Sequence, residues 1–251
     1  MAKRMFAESI NSLSQYLSFI EKHCDKYDEF DAVLFRGQRE DWPLLPKLAR
    51  LKYRSGKTVL DAESNMVSSF KRRSLPFLES KPETDWDWLA IAQHFGMATR
   101  LLDWTTNLLA ALWFAVEKPA ICSRDGVVWV FTPAIEDYVS CDNESPFEIG
   151  GTRIFKPKHI NRRIVAQNGW FTVHQYKAAE SRFDIMEKNK RYSKCLMKLR
   201  IPASAFPVLR FALNRCGINA ATIFNDIAGL CKDSVWKVSL QADEPVECIE
   251  D

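Results

Sequence analysis

Three short segments of this 251-residue chain gather residue types able to hold and act on an anionic ligand. The densest runs from Gln93 to Asn107, Gln-His-Phe-Gly-Met-Ala-Thr-Arg-Leu-Leu-Asp-Trp-Thr-Thr-Asn. His94 can carry a proton near neutral pH, and Arg100 offers five donors suited to phosphate. Thr105 and Thr106 stand just ahead of an apolar run that reads as a helix. A helix start presents unpaired N–H groups and the positive end of the dipole, so this segment, read as a polar turn, is expected to receive an anion. The second segment, Arg36-Gly37-Gln38, sets a guanidinium beside a glycine that lets backbone approach a ligand closely. In the third, Gln167-Asn168-Gly169-Trp170, a polar turn precedes an aromatic ring able to stack on a planar group.

Each residue also has a plainer reading. Arg36 can pair with Glu40 or Asp41, and His94 can bond backbone at a helix end. Asp103, between Leu102 and Trp104, suits a helix cap or an ion pair with Arg100, and reads as scaffold. Trp104 and Trp170 fit a core as well as a stacking surface. His159 and His174 have no acid or cysteine at ligand spacing, so no metal site is expected. Neither G-x-x-x-x-G-K-[ST] nor G-x-G-x-x-G occurs, which removes two common nucleotide-binding routes.

Positioning these groups falls to a mixed set of elements. Ala32 to Phe35 reads as a buried strand that ends at Arg36. Thr58 opens a helix to Ser74 whose closing Lys71, Arg72 and Arg73 complement the dipole. Thr84 caps another that halts at Gly96. From Leu108 to Val116 the chain is apolar all round, the mark of a buried central helix. Val127 to Phe131, introduced by Gly126, is the clearest strand and must be covered on both faces. Residues 135–161 read as an irregular, lid-like connection. A strand near Trp170 to His174, an alternating strand over residues 195–201 near a sheet edge, and helices over 207–216 and 220–232 complete the set. Ile10, Leu13, Leu17 and Ile20 mark an amphipathic N-terminal helix. The fold class is α+β, a small mixed or antiparallel sheet with a buried central helix and others around it. The expected organisation is an N-terminal helix over 1–29, one domain over 30–240 and an acidic tail over 241–251.

Composition sets wider bounds. A hydrophobic content of 47% excludes general disorder, and a net charge of +3 neither demands nor excludes a nucleic acid partner. Seven cysteines without a C-x-x-C pair argue against a disulfide framework or zinc knuckle. No membrane-length apolar run occurs, so the expectation is a cytoplasmic protein without a membrane partner.

Taken together, Phe35-Arg36-Gly37-Gln38, Gln93-His94-Phe95-Gly96 with Thr99-Arg100-Leu101-Leu102-Asp103-Trp104-Thr105, Arg163 with Gln167 to Phe171, and Gly217-Ile218-Asn219 with Ile223-Phe224 resemble the FRG domain family over roughly residues 30–232. A more distant resemblance is to ADP-ribosyltransferases, which place an Arg or His before Gly on a first strand, a Ser or Thr on a second element and a Glu or Gln on a third. It implies an ADP-ribosyltransferase-like fold, NAD as substrate and a macromolecular acceptor, protein or nucleic acid, in a toxin or phage-defence setting. By this likeness Arg36, Gln167 and His94 are the catalytic candidates. Arg36, Gly37, Gln38, Arg100, Thr105, Thr106 and Trp170 are the NAD-binding ones. Gln167 stands where an acid is usual, which leaves Glu148 or Glu180 to supply the charge. The alternative is a non-catalytic module that binds a nucleotide or nucleic acid in the same pocket.

Overall fold

The β-branched and aromatic run Gly126–Phe131 forms a strand, β4, buried along its whole length. The computed structural model describes residues 7–24, 32–54, 58–78, 81–139, 144–157 and 169–244. Around β4 stand β1 (Ala7–Ser9), β2 (Leu34–Gln38), β3 (Leu101–Thr105), β5 (Arg153–Phe155), β6 (Gly169–Val173) and β9 (Leu196–Ile201), while β7 (Tyr176–Lys177) and β8 (Arg182–Phe183) pair separately. The main sheet has seven strands in the order β1-β9-β4-β2-β3-β6-β5. Its neighbours are antiparallel except β1, which runs parallel to β9 and covers the edge that the sequence placed there. This is a mixed α+β fold, with a larger sheet than the pattern suggested.

Seven α-helices are described: α1 (Leu13–His23), α2 (Val59–Ser74), α3 (Asp85–His94), α4 (Leu108–Val116), α5 (Phe206–Arg215), α6 (Ala220–Phe224) and α7 (Ile227–Val238). Thr58 and Thr84 cap α2 and α3 through reciprocal capping boxes. Gly96, at φ 88°, ends the turn after α3. No helix among the described residues is long and apolar enough to cross a membrane.

One face of the sheet carries two separate helix groups. Over β9, β4 and β2, α4 packs with α1 and α5 through Phe35, Val128, Val130, Leu199 and Phe206. Over β3, β6 and β5, α2 and α3 pack through Val67, Trp86, Leu89, Leu101 and Phe171. The opposite face is covered by loops that bury Leu44, Met186 and Tyr192 against Trp104, Trp129 and Phe131.

Several sequence expectations change. Arg36 lies inside β2 rather than at a strand end, because the ladder with β4 continues through Gln38. Residues 101–105 form β3 and not a turn. Asn107 caps α4, its side chain accepting from the Leu109 and Ala110 N–H groups, so two of the donors expected to receive an anion are already bonded. On α1 the buried face is Tyr16, Phe19 and Ile20, while Leu17 is exposed. The helix expected over 220–232 breaks at Asn225, φ 49°, and Asp226 caps its successor. The irregular connection contains β5, which pairs with β6.

Gly37 is required by packing. A Cβ there would lie 1.8 Å from the Ala111 carbonyl oxygen and 2.8 Å from the Ala115 nitrogen, so α4 lies directly on β2. We expect Gly37→Ala to lower stability by at least about 3 kcal/mol in urea unfolding without any ligand, since such overpacking forces backbone apart. A variant as stable as wild type would return Gly37 to a ligand-contact role.

Candidate functional site

Strands β2 and β4 pair at five positions, but β2 and β3 pair only at Phe35 and Thr105. Where that ladder stops, between the two helix groups, a cleft of about 560 Å³ opens. Its walls come from Phe35 to Arg39, from Trp42, Lys47 and Arg50, from the end of α3, from Asp103 to Thr105, from Phe114, Glu117 and Lys118, and from Gly169 to Phe171. Five cationic side chains, Arg36, Arg39, Lys47, Arg50 and Lys118, line it against two acids, Asp103 and Glu117. The balance gives a field that draws anions.

Arg36 donates from Nη1 to the Asp103 carbonyl oxygen at 2.7 Å and lies 3.7 Å from the Asp103 carboxylate. Its Nε is buried with no partner among the described residues. Burial pulls the Arg36 pKa down from its ordinary value; Asp103 opposes the shift and Arg50 adds to it. An anion in the cleft would therefore meet an incompletely compensated guanidinium.

Asp103 is the residue that the sequence undervalued. On β3 its neighbours on the same face, Leu101 and Thr105, are buried, yet its own side chain is 56% exposed because it faces the gap between the helix groups. Its carboxylate accepts from Gln93 Nε2 at 3.0 Å, and Gln93 Oε1 in turn accepts from the Thr99 hydroxyl at 2.7 Å. Thr99 thus fixes which way the Gln93 amide points, and Gln93 holds the carboxylate toward the cleft. The signal was available, since Gln93 and Asp103 flank the same short motif. A scaffold role suits Asp103 in a turn, but residues 101–105 form a strand.

The other site candidates divide. His94 lines the cleft with its ring edge-on to Phe95, at 4.8 Å between centroids. Thr105 lines it too, its hydroxyl accepting from the Asn107 N–H, whereas Thr106 is not part of the wall. Trp170 contributes a wall and carries Lys156 over its ring at 5.2 Å. Gln38 uses its side-chain oxygen to accept from Trp129 Nε1 in the core. Gln167, Asn168 and Arg163 lie outside the described residues. Glu40 and Asp41 pair with Arg124 and Lys198, not with Arg36.

Arg100 is the clearest correction. It is 2% exposed and turned away from the cleft, bonding both carboxylate oxygens of buried Glu63, with Nε to Oε1 at 2.8 Å, and giving Nη1 to the Pro146 carbonyl at 3.1 Å. Each of its three nitrogens is bonded within the fold, and it is not part of the cleft wall. Glu63 precedes Val67 by four residues on α2, a spacing that puts the acid on the apolar face and foretells a buried partner. Neither Glu148 nor Glu180 supplies the cleft with charge. Glu148 borders the Arg100 cavity, and Glu180 pairs with Arg182 and Lys177.

Behind the cleft, Trp104 Nε1 donates to the Thr172 hydroxyl at 3.0 Å, and that hydroxyl lies 3.0 Å from His174 Nε2. If Thr172 donates onward, His174 is neutral with its proton on Nδ1, facing the Asp184 carbonyl. Burial pushes the His174 pKa down to about 4, with Arg36 contributing, against a weaker lift from the Asp184 backbone.

Compared with models of known families, residues 31–122 match the FRG domain. The chain carries an FRG domain. That match takes in β2, α3, β3 and α4, hence every cleft wall except Gly169 to Phe171. It is shorter than the 30–232 span of the motifs. No curated protein and no solved structure matches the chain.

Two outcomes follow from these buried groups. Arg100→Ala should cost roughly 3–5 kcal/mol of stability by stranding Glu63, while anion binding to the FRG cleft stays unchanged in a titration; weakened binding with stability intact would contradict the structural role. For His174 the folded pKa lies below the unfolded value, so the unfolded chain binds the extra proton between pH 6.5 and 4. Stability should fall by on the order of 3 kcal/mol as pH drops through that window, and His174→Gln should flatten this part of the pH–stability curve.

Proposed function

We propose that the FRG domain binds NAD in the cleft between β2 and β3 and transfers its ADP-ribosyl group to a macromolecular acceptor, protein or nucleic acid. The observation that carries this reading is Asp103, a solvent-facing carboxylate held by Gln93 inside a cleft where cationic side chains outnumber acids. Arg36, Arg39 and Arg50 supply planar donors for the pyrophosphate. Trp42 and Trp170 offer faces for the rings. As the ribose C1′–nicotinamide bond breaks, its electron pair leaves with nicotinamide and positive charge develops on the ribose. A carboxylate stabilises that charge, which a glutamine can only orient. The acceptor nucleophile then bonds to C1′ and gives up a proton, for which His94 is the candidate base. Such an activity suits the toxin or phage-defence setting that the family resemblance implies.

One observation favours the non-catalytic alternative. Arg36 and Gln93 already engage Asp103, and a carboxylate so engaged can serve to order the cleft for binding alone.

Incubation with NAD labelled in the ADP-ribosyl half, together with cell lysate, separates the two. We expect wild type to release nicotinamide and label an acceptor. Asp103→Asn should lower kcat by at least about 100-fold with little change in melting temperature, the scale of losing one transition-state charge contact. Arg36→Ala should chiefly raise KM. Saturable NAD binding without nicotinamide release would establish the binding module, and no binding at all would remove both readings.

A further inference from the structure

A shallow groove of about 550 Å³ adjoins the β2/β3 cleft and shares Met97 with it. Met66, Phe70 and Phe77 complete its apolar lining, and its one charged wall residue is Arg73, in the last turn of α2. Trp42, Phe77, Phe95 and Phe211 are the exposed phenylalanine and tryptophan side chains among the described residues. Phe77, in the groove, is 85% exposed, and Phe95, between the cleft-wall residues His94 and Gly96, is 66% exposed. With Trp42, itself a cleft-wall residue, three of those four rings gather along the cleft and the groove beside it. Apolar surface left open and rimmed by polar groups in this way marks an interaction site.

The charge around these rings indicates what covers them. Lys47, Arg50, Lys52 and Arg54 are all exposed within one segment that holds no acid. Lys47 donates to the Gly96 carbonyl at 2.8 Å, which brings that segment against the turn carrying Phe95. Arg39, Lys47, Arg50 and Arg73 make no ion pair among the described residues. Three nearby acids, Glu40, Asp41 and Asp85, are instead paired with Arg124, Lys198 and Lys71. Open rings beside unpaired cations call for a ligand with flat faces and a repeated negative charge. An acidic peptide answers the cations alone, and an apolar protein face answers the rings alone. A nucleic acid duplex keeps its base faces stacked inside.

We propose that this strip, from Arg73 and Phe77 across Phe95 to Lys47 and Arg50, binds single-stranded nucleic acid, its bases stacked on the rings and its phosphates held by the cations. On the transferase reading, on which this one point rests, the strand is the acceptor. A base nitrogen then bonds to the ribose C1′ as nicotinamide leaves with the bonding electron pair, and that nitrogen gives up its proton. Binding of the strand itself does not depend on NAD.

Fluorescence anisotropy with labelled DNA and RNA strands of about 12 nucleotides, in the absence of NAD, tests the surface. A strand should bind saturably and more tightly than the matching duplex, and the tighter of the two chemistries identifies which strand the surface takes. Phe77→Ala and Phe95→Ala should each weaken binding about tenfold, the scale of one lost base stack, with melting temperature unchanged because both rings are exposed. Arg73→Gln should lower the slope of log affinity against log salt by about one. No binding would overturn the proposal. So would binding that Arg36→Ala abolishes while Phe77→Ala and Arg73→Gln leave it intact, since the strand would then lie inside the cleft. NAD labelled in the ADP-ribosyl half is then added. Label on the strand supports its assignment as acceptor, whereas nicotinamide release with label on protein alone overturns that assignment and leaves the transferase reading standing. A bound strand without nicotinamide release removes the transferase reading and supports the surface as a binding site in its own right.

Discussion

The contact that orders this molecule is the bare approach of β2 to α4 at Gly37. With no side chain between them, the strand lies against the Ala111 carbonyl, and the helix is held directly on the sheet. Phe35 shares that face and enters the same core. Strand alternation then turns Leu34, Arg36 and Gln38 to the other side. Leu34 and Gln38 are taken up by packing and by Trp129, whereas Arg36 reaches toward β3. The Arg-Gly pair is thus one device in which the glycine seats the helix and the arginine reaches the cleft.

The cleft itself follows from two cores that do not merge. One helix group packs over β9, β4 and β2, another over β3, β6 and β5, and the strands at their junction share a single pairing position. Polar residues at that junction stay open to solvent within a folded frame. Asp103 is exposed there between two buried neighbours on its own face. Farther from the junction the same chemistry is buried and neutralised, as with Arg100 and Glu63. Position relative to the seam, more than residue type, decides which charges remain available.

This explains what the sequence could and could not convey. Thr58 and Thr84 as caps, the apolar α4 and the all-buried β4 are local patterns, set by capping chemistry and periodicity, and all are present in the structure. The role of Arg100 depended on an acid 37 residues earlier in the chain, which no local pattern displays. Leu101 to Thr105 lacks clean alternation because both faces of β3 are buried except at Asp103, so the strand resembled a turn. Asn225 breaks a helix that propensity alone would continue. Membership of Arg36, Gly37, His94 and Thr105 in one cleft was legible, because their motifs carried the resemblance. The acid among them was legible only once the strand was known.

The proposed dinucleotide site lies in the seam between β2 and β3. Mapping backbone amide shifts during a titration with NAD tests it most directly. Saturable changes concentrated at Arg36 to Arg39, Gln93 to Met97 and Asp103 to Thr105 are the expected result. An unchanged spectrum, or changes gathered away from those three segments, would contradict it.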